Sequence, residues 1–439
     1  MCGSKYRSAF LFLFLSLLAP PWLAAQEHAG MRPGPLGEPR TRESSGTAWL
    51  PDASPMHALH GRSGAWELML HGAIYVHWLD DGGDRGREQF GSTNWAMGMA
   101  RRPVLGGDLT LRAMLSADPL TADECGYPDL LATGEFCDDE PLHDRQHPHD
   151  VFMELAAVYE RALSDDLALQ LYGGPVGEPA LGPVAFPHRI SAAPNPIAPI
   201  GHHWLDSTHI AFGVATAALY GRAWKAEASL FNGREPDSER WDLDLDALDS
   251  WSGRLWILPT DRWAFQASAG RLTEAETHEA GGSPIDVTRV TASASYQRPL
   301  ARGGSWSSTV AWGRNREEGK STNAFLAETN GNLAERDLLY GRAEIVQKTG
   351  ADLVLSHELE GETYRVGKVG VGYVRQVAPW GGLVPGFGAG VTISFVPEEL
   401  ESIYGSRTPA GLQLFFRLRP RPMTEHAVAV EPEVGHDGH

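Results

Sequence analysis

Two short stretches of this chain hold most of the side chains able to do chemistry. PLHDRQHPHD carries His143, His147 and His149 beside Asp144 and Asp150, and GHHWLDSTH carries His202, His203 and His209 beside Asp206. Imidazoles a few residues from carboxylates are the ligand set of a divalent metal ion such as Zn(II), Cu(II) or Ni(II). The competing reading makes them rim histidines that hydrogen-bond loop backbone or line a vestibule. Catalysis has weaker grounds. Asp206, Ser207 and His209 can be assembled on paper into a hydrolase triad, but three residues so close in sequence seldom reach one another in the needed geometry. Neither a G-x-S-x-G elbow nor a glycine-rich phosphate cradle occurs.

The elements that must position these residues follow one template, WELMLHGAIYVHW, Trp66 to Trp78. Leu68, Leu70, Gly72, Ile74, Val76 and Trp78 fall on one parity; Glu67, Met69, His71, Ala73, Tyr75 and His77 fall on the other. Alternate side chains of a strand point to opposite faces, so the stretch predicts a strand with one oily and one polar face. A soluble sandwich buries the oily face, whereas a transmembrane barrel turns it to lipid and keeps polar residues around the lumen.

The N-terminus sets the compartment. Lys5 and Arg7 precede an apolar run from Ala9 to Leu18, and Ala24 and Ala25 supply small residues. That is a signal peptide, residues 1–25, too short to span a membrane. Cleavage after Ala25 leaves Gln26-Glu27-His28, a sequence able to hold Cu(II) or Ni(II), although cyclisation of Gln26 would block it. No later segment approaches the roughly 20 apolar residues of a spanning helix, so an integral protein must here be a closed sheet. A secreted or periplasmic β protein is the alternative. Cys125 and Cys137 remain after export, and an oxidising compartment favours a disulfide over a metal site.

Residues 26–65, rich in Gly, Pro and Ser, read as a flexible periplasmic lead-in. From residue 66 to 419 strands alternate with short turns and long polar loops. Candidate strands run from Trp66 through Thr93–Arg101, Leu109–Leu115, Val151–Arg161, Leu167–Tyr172, Ile210–Tyr220, Trp224–Asn232, Trp251–Leu258, Trp263–Leu272, Val287–Gln297 and Trp306–Arg314. A polar loop then leads to Leu338–Gln347. Ala351–Glu358 is included because long and short connections must alternate; Val366–Val377, Leu383–Phe395 and Leu412–Arg419 close the set. The count is about sixteen, with fourteen as fallback, in an all-β up-and-down barrel with long extracellular loops. Tryptophans including Trp95, Trp224, Trp263 and Trp306 are expected in girdles at the lipid headgroups. Residues 420–439 read as a flexible tail.

Charged residues concentrate on the parity opposite the oily one. Arg112, Lys225, Arg254, Arg289, Arg342, Lys368 and Arg417, with Glu67, Glu154, Glu227, Glu344 and the polar His71, are therefore expected to line the pore. Two outcomes are open: a field that biases the pore towards anions or polar zwitterions, or mutual salt bridges that plug it. The loops Asp118–Asp150 and Asp237–Asp249 are acidic and read as solvated, able to gather divalent cations, including those that bridge lipopolysaccharide. These acidic loops argue against nucleic acid as a partner.

STNWAMGMARR, LHDRQHPHDVFMELAA, GGPVGEPALGPVAFPHR, HHWLDSTHIAFGV and SLFNGREPD resemble stretches of a family of porin-like bacterial outer-membrane β-barrels of the Gram-negative type. The resemblance covers most of the mature chain. It implies the barrel and the outer membrane, with its lipid and lipopolysaccharide as surroundings, and assigns no ligand or catalytic residue. The expected function is a non-enzymatic, passive or loop-gated channel for small hydrophilic solutes or ions; the alternative is a Cu, Zn or Ni-binding barrel.

Overall fold

The computed structural model describes residues 31–423 apart from 124, 138–139, 278–281 and 334–335. The expected signal peptide, the Gln26-Glu27-His28 motif and the tail from 424 onward lie outside the described residues. The strands are β1 (Trp66–Asp81), β2 (Glu88–Val104), β3 (Gly107–Leu115), β4 (Phe152–Ala162), β5 (Ala168–Gly177) and β6 (Ala211–Tyr220). They continue as β7 (Trp224–Phe231), β8 (Ser250–Thr260), β9 (Trp263–Glu276), β10 (Ile285–Pro299) and β11 (Ser305–Glu317). The last are β12 (Lys320–Leu333), β13 (Asp337–Thr349), β14 (Thr363–Gln376), β15 (Leu383–Phe395) and β16 (Ala410–Pro420). These sixteen form one closed antiparallel barrel, in which β16 returns to pair with β1, Leu414 opposite Trp78.

Closure satisfies every strand edge, which is what a sheet in lipid requires. The alternation that specifies it is plain in β8, where Trp251, Leu255 and Ile257 face out while Arg254 and Trp256 face in. Val310, Phe325, Ile345 and Val371 are each more than half exposed, at 53 to 55 %. Apolar residues repeated on the outside of so many strands are stable only against hydrocarbon. Trp224, Trp263, Trp306 and Trp380 lie at the end of the barrel that carries the short turns, hereafter the lower end, with exposed rings. Trp95 leaves the expected girdle: it faces the lumen against the His188 ring, centroids 4.5 Å apart.

The count of sixteen is right, but two strands are placed differently from the sequence reading. Ala351–Glu358 is no strand; it belongs to the connection from β13 to β14, and its Leu353 packs with Trp204 and Val346 in an apolar cap over the upper end. The missing strand is β12, read from sequence as part of a polar loop. Its outward positions include Thr329 and Gly331, and Leu326 faces in, so the oily parity is blurred. It is joined to β11 by a two-residue turn, Glu318-Gly319, both at positive φ. Such a turn suits a tight hairpin, and it breaks the expected rule that upper connections are long.

The segment expected as a flexible lead-in is folded. Leu59–Ser63 pairs with the start of β1, and residues 33–57 turn into the lumen, where Arg40, Arg42, Thr47 and Trp49 are buried. From the upper end, the connection 178–210 also enters the lumen, and a hairpin of Tyr127–Cys137 with Glu140–Gln146 covers it. The Cys125–Cys137 disulfide is formed beside that hairpin, Cα atoms 5.5 Å apart. Asp129, Asp144 and Asp150, expected in solvated acidic loops, are buried.

Val371→Lys is expected to destabilise the barrel by about 2–4 kcal/mol, because a cation at mid-strand would face lipid. The same change at His357, whose side chain is 98 % exposed, should cost less than about 0.5 kcal/mol. Urea titration of the folded band on unheated gels measures both.

Candidate functional site

The lumen wall is charged as the parity predicts, and most of that charge is spent on the two segments inside. Arg112, Lys225 and Arg254 are buried. Arg112 donates to the Gly46 carbonyl at 2.5 Å, Lys225 donates to the Thr47 carbonyl, and Arg254 reaches Thr47 Oγ1 at 3.1 Å. Wall acids complete the set: Glu227 accepts from Arg254 at 2.7 Å, and Glu154 lies 3.7 Å from Arg112. Gly46 has φ +49°, and a Cβ there would meet Glu178 at 2.7 Å, so only glycine fits this approach of segment to loop. Glu43 enters from the segment and receives two hydrogen bonds from Arg101, at 2.7 and 2.8 Å. Burial alone would raise its pKa; Arg101, Arg40 and Arg112 instead hold it well below the usual carboxylate range.

On the opposite wall Glu328 of β12 is the common acceptor. Arg189 of the inserted connection reaches it at 2.5 Å, Ser191 at 2.8 Å and Arg342 at 3.3 Å. Arg342 also donates to the Ile197 carbonyl at 3.0 Å, and Glu344 accepts from the Gly201 amide at 3.0 Å. Lys368 pairs with Asp129 of the covering hairpin at 2.5 Å. Arg289 donates to Asn315 and Ser207, Arg417 to Gln376, and Glu67 pairs with Arg32 at 2.8 Å. Several of these wall charges are engaged by the inserted segments, and others by neighbours on the wall such as Glu227 with Arg254. Sequence reasoning missed Glu328 because it missed β12.

Five of the six histidines expected as metal ligands converge at the upper end. Ring centroids lie 5.1 Å apart for His202 and His209, 5.5 Å for His149 and His209, 5.9 Å for His202 and His203, and 6.3 Å for His147 and His203. His143 is the exception: it stays in the covering hairpin with Asp144, 2.9 Å away, and Arg85 of the β1–β2 connection reaches it at 3.2 Å. Acceptors orient three of the rings. His149 Nδ1 is 2.8 Å from Asp118, His202 Nδ1 is 2.8 Å from Asp206, and His209 Nδ1 is 2.9 Å from the Asp206 carbonyl. Such contacts fix the tautomer of a metal-ligating histidine.

Two carboxylates invisible to sequence spacing join them, Glu235 from the β7–β8 connection and Glu276 at the end of β9. With His203 they offer three ligand atoms within 4.8 Å of one another, the His203 Nδ1 to Glu235 distance being 3.1 Å. Burial works to lower the His203 pKa, but Glu235 and Glu276 push it up to about 10. Burial, with His202 and His149 nearby, brings His209 down to about 3. The set suits a borderline divalent ion such as zinc. It does not suit a serine hydrolase: Ser207 accepts from Arg289, and the Asp206 carboxylate is held by Arg189 and His202.

No protein-family model matches the chain, and no curated protein matches it. Solved structures do. The high-pH structure of OprB from Pseudomonas putida superimposes with TM-score 0.50 at 10 % identity, covering 81 % of this chain and 94 % of that one. This chain has the porin fold. An anion-selective porin from Comamonas acidovorans (TM-score 0.47, 11 % identity) is covered over 99 % of its length by 81 % of this chain. A loop-deletion form of OmpT, an outer-membrane protein of Vibrio cholerae (TM-score 0.48, 9 % identity), has the same coverage.

Glu43→Gln should loosen the N-terminal segment, since hydrogen bonds to a charged group are worth about 1.5–3 kcal/mol. Trypsin at pH 8 is expected to spare Arg40 and Arg42 in the wild type and cut them at least about tenfold faster in the variant. The Glu43 pKa is depressed in the folded chain, so its contribution is complete above the ordinary carboxylate range and is lost as pH falls through the depressed value. Protection of the wild type should therefore persist down to about pH 4.

Proposed function

We propose that the protein is a porin-like outer-membrane channel for small hydrophilic solutes or ions, gated by its own N-terminal segment and by the connection 178–210. Short turns belong on the periplasmic side of such barrels and long loops outside, so the N-terminal segment enters from the periplasm. A barrel of sixteen strands is wide enough for an aqueous lumen. One observation carries the reading: Arg112, Lys225 and Arg254 of the wall hold two carbonyls and a hydroxyl of a segment that joins the sheet at residue 59. Withdrawal of that segment would open water-filled space beside the connection 178–210, with Arg112, Lys225 and Arg254 on its wall favouring anions over cations. Acidic loops at the upper rim, including Asp237, Asp242 and Asp244, would meet lipopolysaccharide and its bridging ions.

Planar-bilayer recordings test this. The mature chain should give small or infrequent steps, and a variant lacking residues 31–57 should give larger, sustained, anion-preferring steps. A deleted barrel that folds and inserts yet passes no current would end the proposal.

A second reading rests on the convergence of His203 with Glu235 and Glu276: the upper chamber holds a divalent ion of the zinc class. Calorimetric zinc titration of the mature chain should show a site whose affinity falls at least about tenfold in His203→Ala or Glu276→Gln, the loss typical of removing a ligand or its support. Equal affinity in these variants would remove this reading.

A further inference from the structure

At the lower end of the lumen, β1, β2, the segment 31–62 and the connection 178–210 enclose a cavity of about 130 Å³. Five methionines and four histidines contribute thioethers and imidazoles to its wall, beside Arg40, Arg62, Arg101 and Arg419. Met69 and His71 of β1, and Met97 and Met99 of β2, are two residues apart in each strand and so share the inward face. His60 comes from the short strand before β1, and His188 from the inserted connection. Met114 of β3 lies behind them, its Sδ 3.4 Å from His188 Nε2. The His71 and His188 rings are 5.5 Å apart between centroids.

Methionine often fills irregular gaps in cores, and that would account for the sulfurs alone. It leaves the imidazoles unexplained. His71 Nε2 and His60 Nε2 are buried with no hydrogen-bond partner among the described residues. A buried nitrogen without a partner is costly, and such groups in a folded protein call for an explanation, an ion among them. Of the two lining carboxylates, Glu43 is held by Arg101 and Glu67 is paired through Oε1 with Arg32, while Glu67 Oε2 is buried without a hydrogen-bond partner among the described residues. Beside that carboxylate oxygen and a few hydroxyls, the metal donors of the wall are neutral imidazoles and thioethers. Calcium and magnesium want oxygen ligands, and zinc prefers thiolate, imidazole or carboxylate. Thioethers select copper in its monovalent state, and imidazole is compatible with them.

We propose that this cavity binds Cu(I), held by thioethers of Met69, Met97 and Met99 together with the His71 and His188 imidazoles. The ion arrives already monovalent, and binding involves no electron transfer. The site is separate in position and donor chemistry from the upper histidine group, and it stands whether or not the barrel conducts. Its opening at the lower end places it in contact with the side from which the N-terminal segment enters, where Arg62 also lines it.

The test is anaerobic competition between the detergent-solubilised mature protein and the Cu(I) chelator bicinchoninate, read by loss of the chelator's colour. The wild type should withdraw one equivalent at this site. Met97→Leu with Met99→Leu, which conserves volume, should weaken binding at least about tenfold while leaving the folded band on unheated gels unchanged. His71→Asn with His188→Asn should do the same, and provides an independent route if the leucine variant folds poorly. X-ray absorption of the copper-loaded wild type should show sulfur scatterers that decline in the leucine variant, and His202→Ala should have no effect. The proposal is overturned if the wild type withdraws no copper, if both double variants bind as the wild type does, or if equimolar Zn(II) displaces the ion.

Discussion

The structure depends on one constraint: a strand that shows lipid its apolar residues must point its charged ones into a lumen, and charges crowded there have to be satisfied. Taking a guanidinium or carboxylate out of water is expensive unless partners replace the hydration. This chain supplies many of those partners from its own length. Carbonyls at Gly46 and Thr47 meet Arg112 and Lys225 on one wall, while Arg189 is inserted between Glu328 and Asp206 on the other. The barrel and its contents are therefore interdependent: removing the contents leaves Arg112 and Lys225 without the carbonyls that they hold.

Much of the barrel was legible because period-2 alternation is enforced by two solvents, one on each side of the sheet. Where one solvent is missing, legibility fails. The stretch 351–358 has leucines at alternate positions, yet they serve an apolar cap at the upper end rather than a lipid face. β12 has Thr329 outside and Leu326 inside, so neither solvent marks it clearly, and its tight Glu318-Gly319 turn violates the loop-length rule that otherwise set the register of the count. The N-terminal segment escaped for a related reason. Its glycines and prolines read as flexible linker, although Gly46 is required for close approach to Glu178.

The candidate sites show the same division. Histidines clustered in sequence were visible, and five of six do meet. Their carboxylate neighbours Glu235 and Glu276 come from distant connections, so no spacing in the chain could have announced them. In the lower cavity the only sequence trace was the pairs Met69-x-His71 and Met97-x-Met99, which in a strand place two soft donors on one face. The two chambers differ in chemistry as a result: imidazole with carboxylate above, imidazole with thioether below.

Occupation of the lumen by residues 40–50 is the claim on which gating, the fate of the wall charges and the shape of the lower cavity all rest. Amide hydrogen exchange of the intact mature protein in detergent measures it most directly. The account predicts that Ala48 and Leu50, whose amides bond to Ser45 and Arg42 carbonyls, exchange slowly, with protection approaching that of the neighbouring barrel strands. Exchange of this stretch at the rate of an unstructured chain would contradict it.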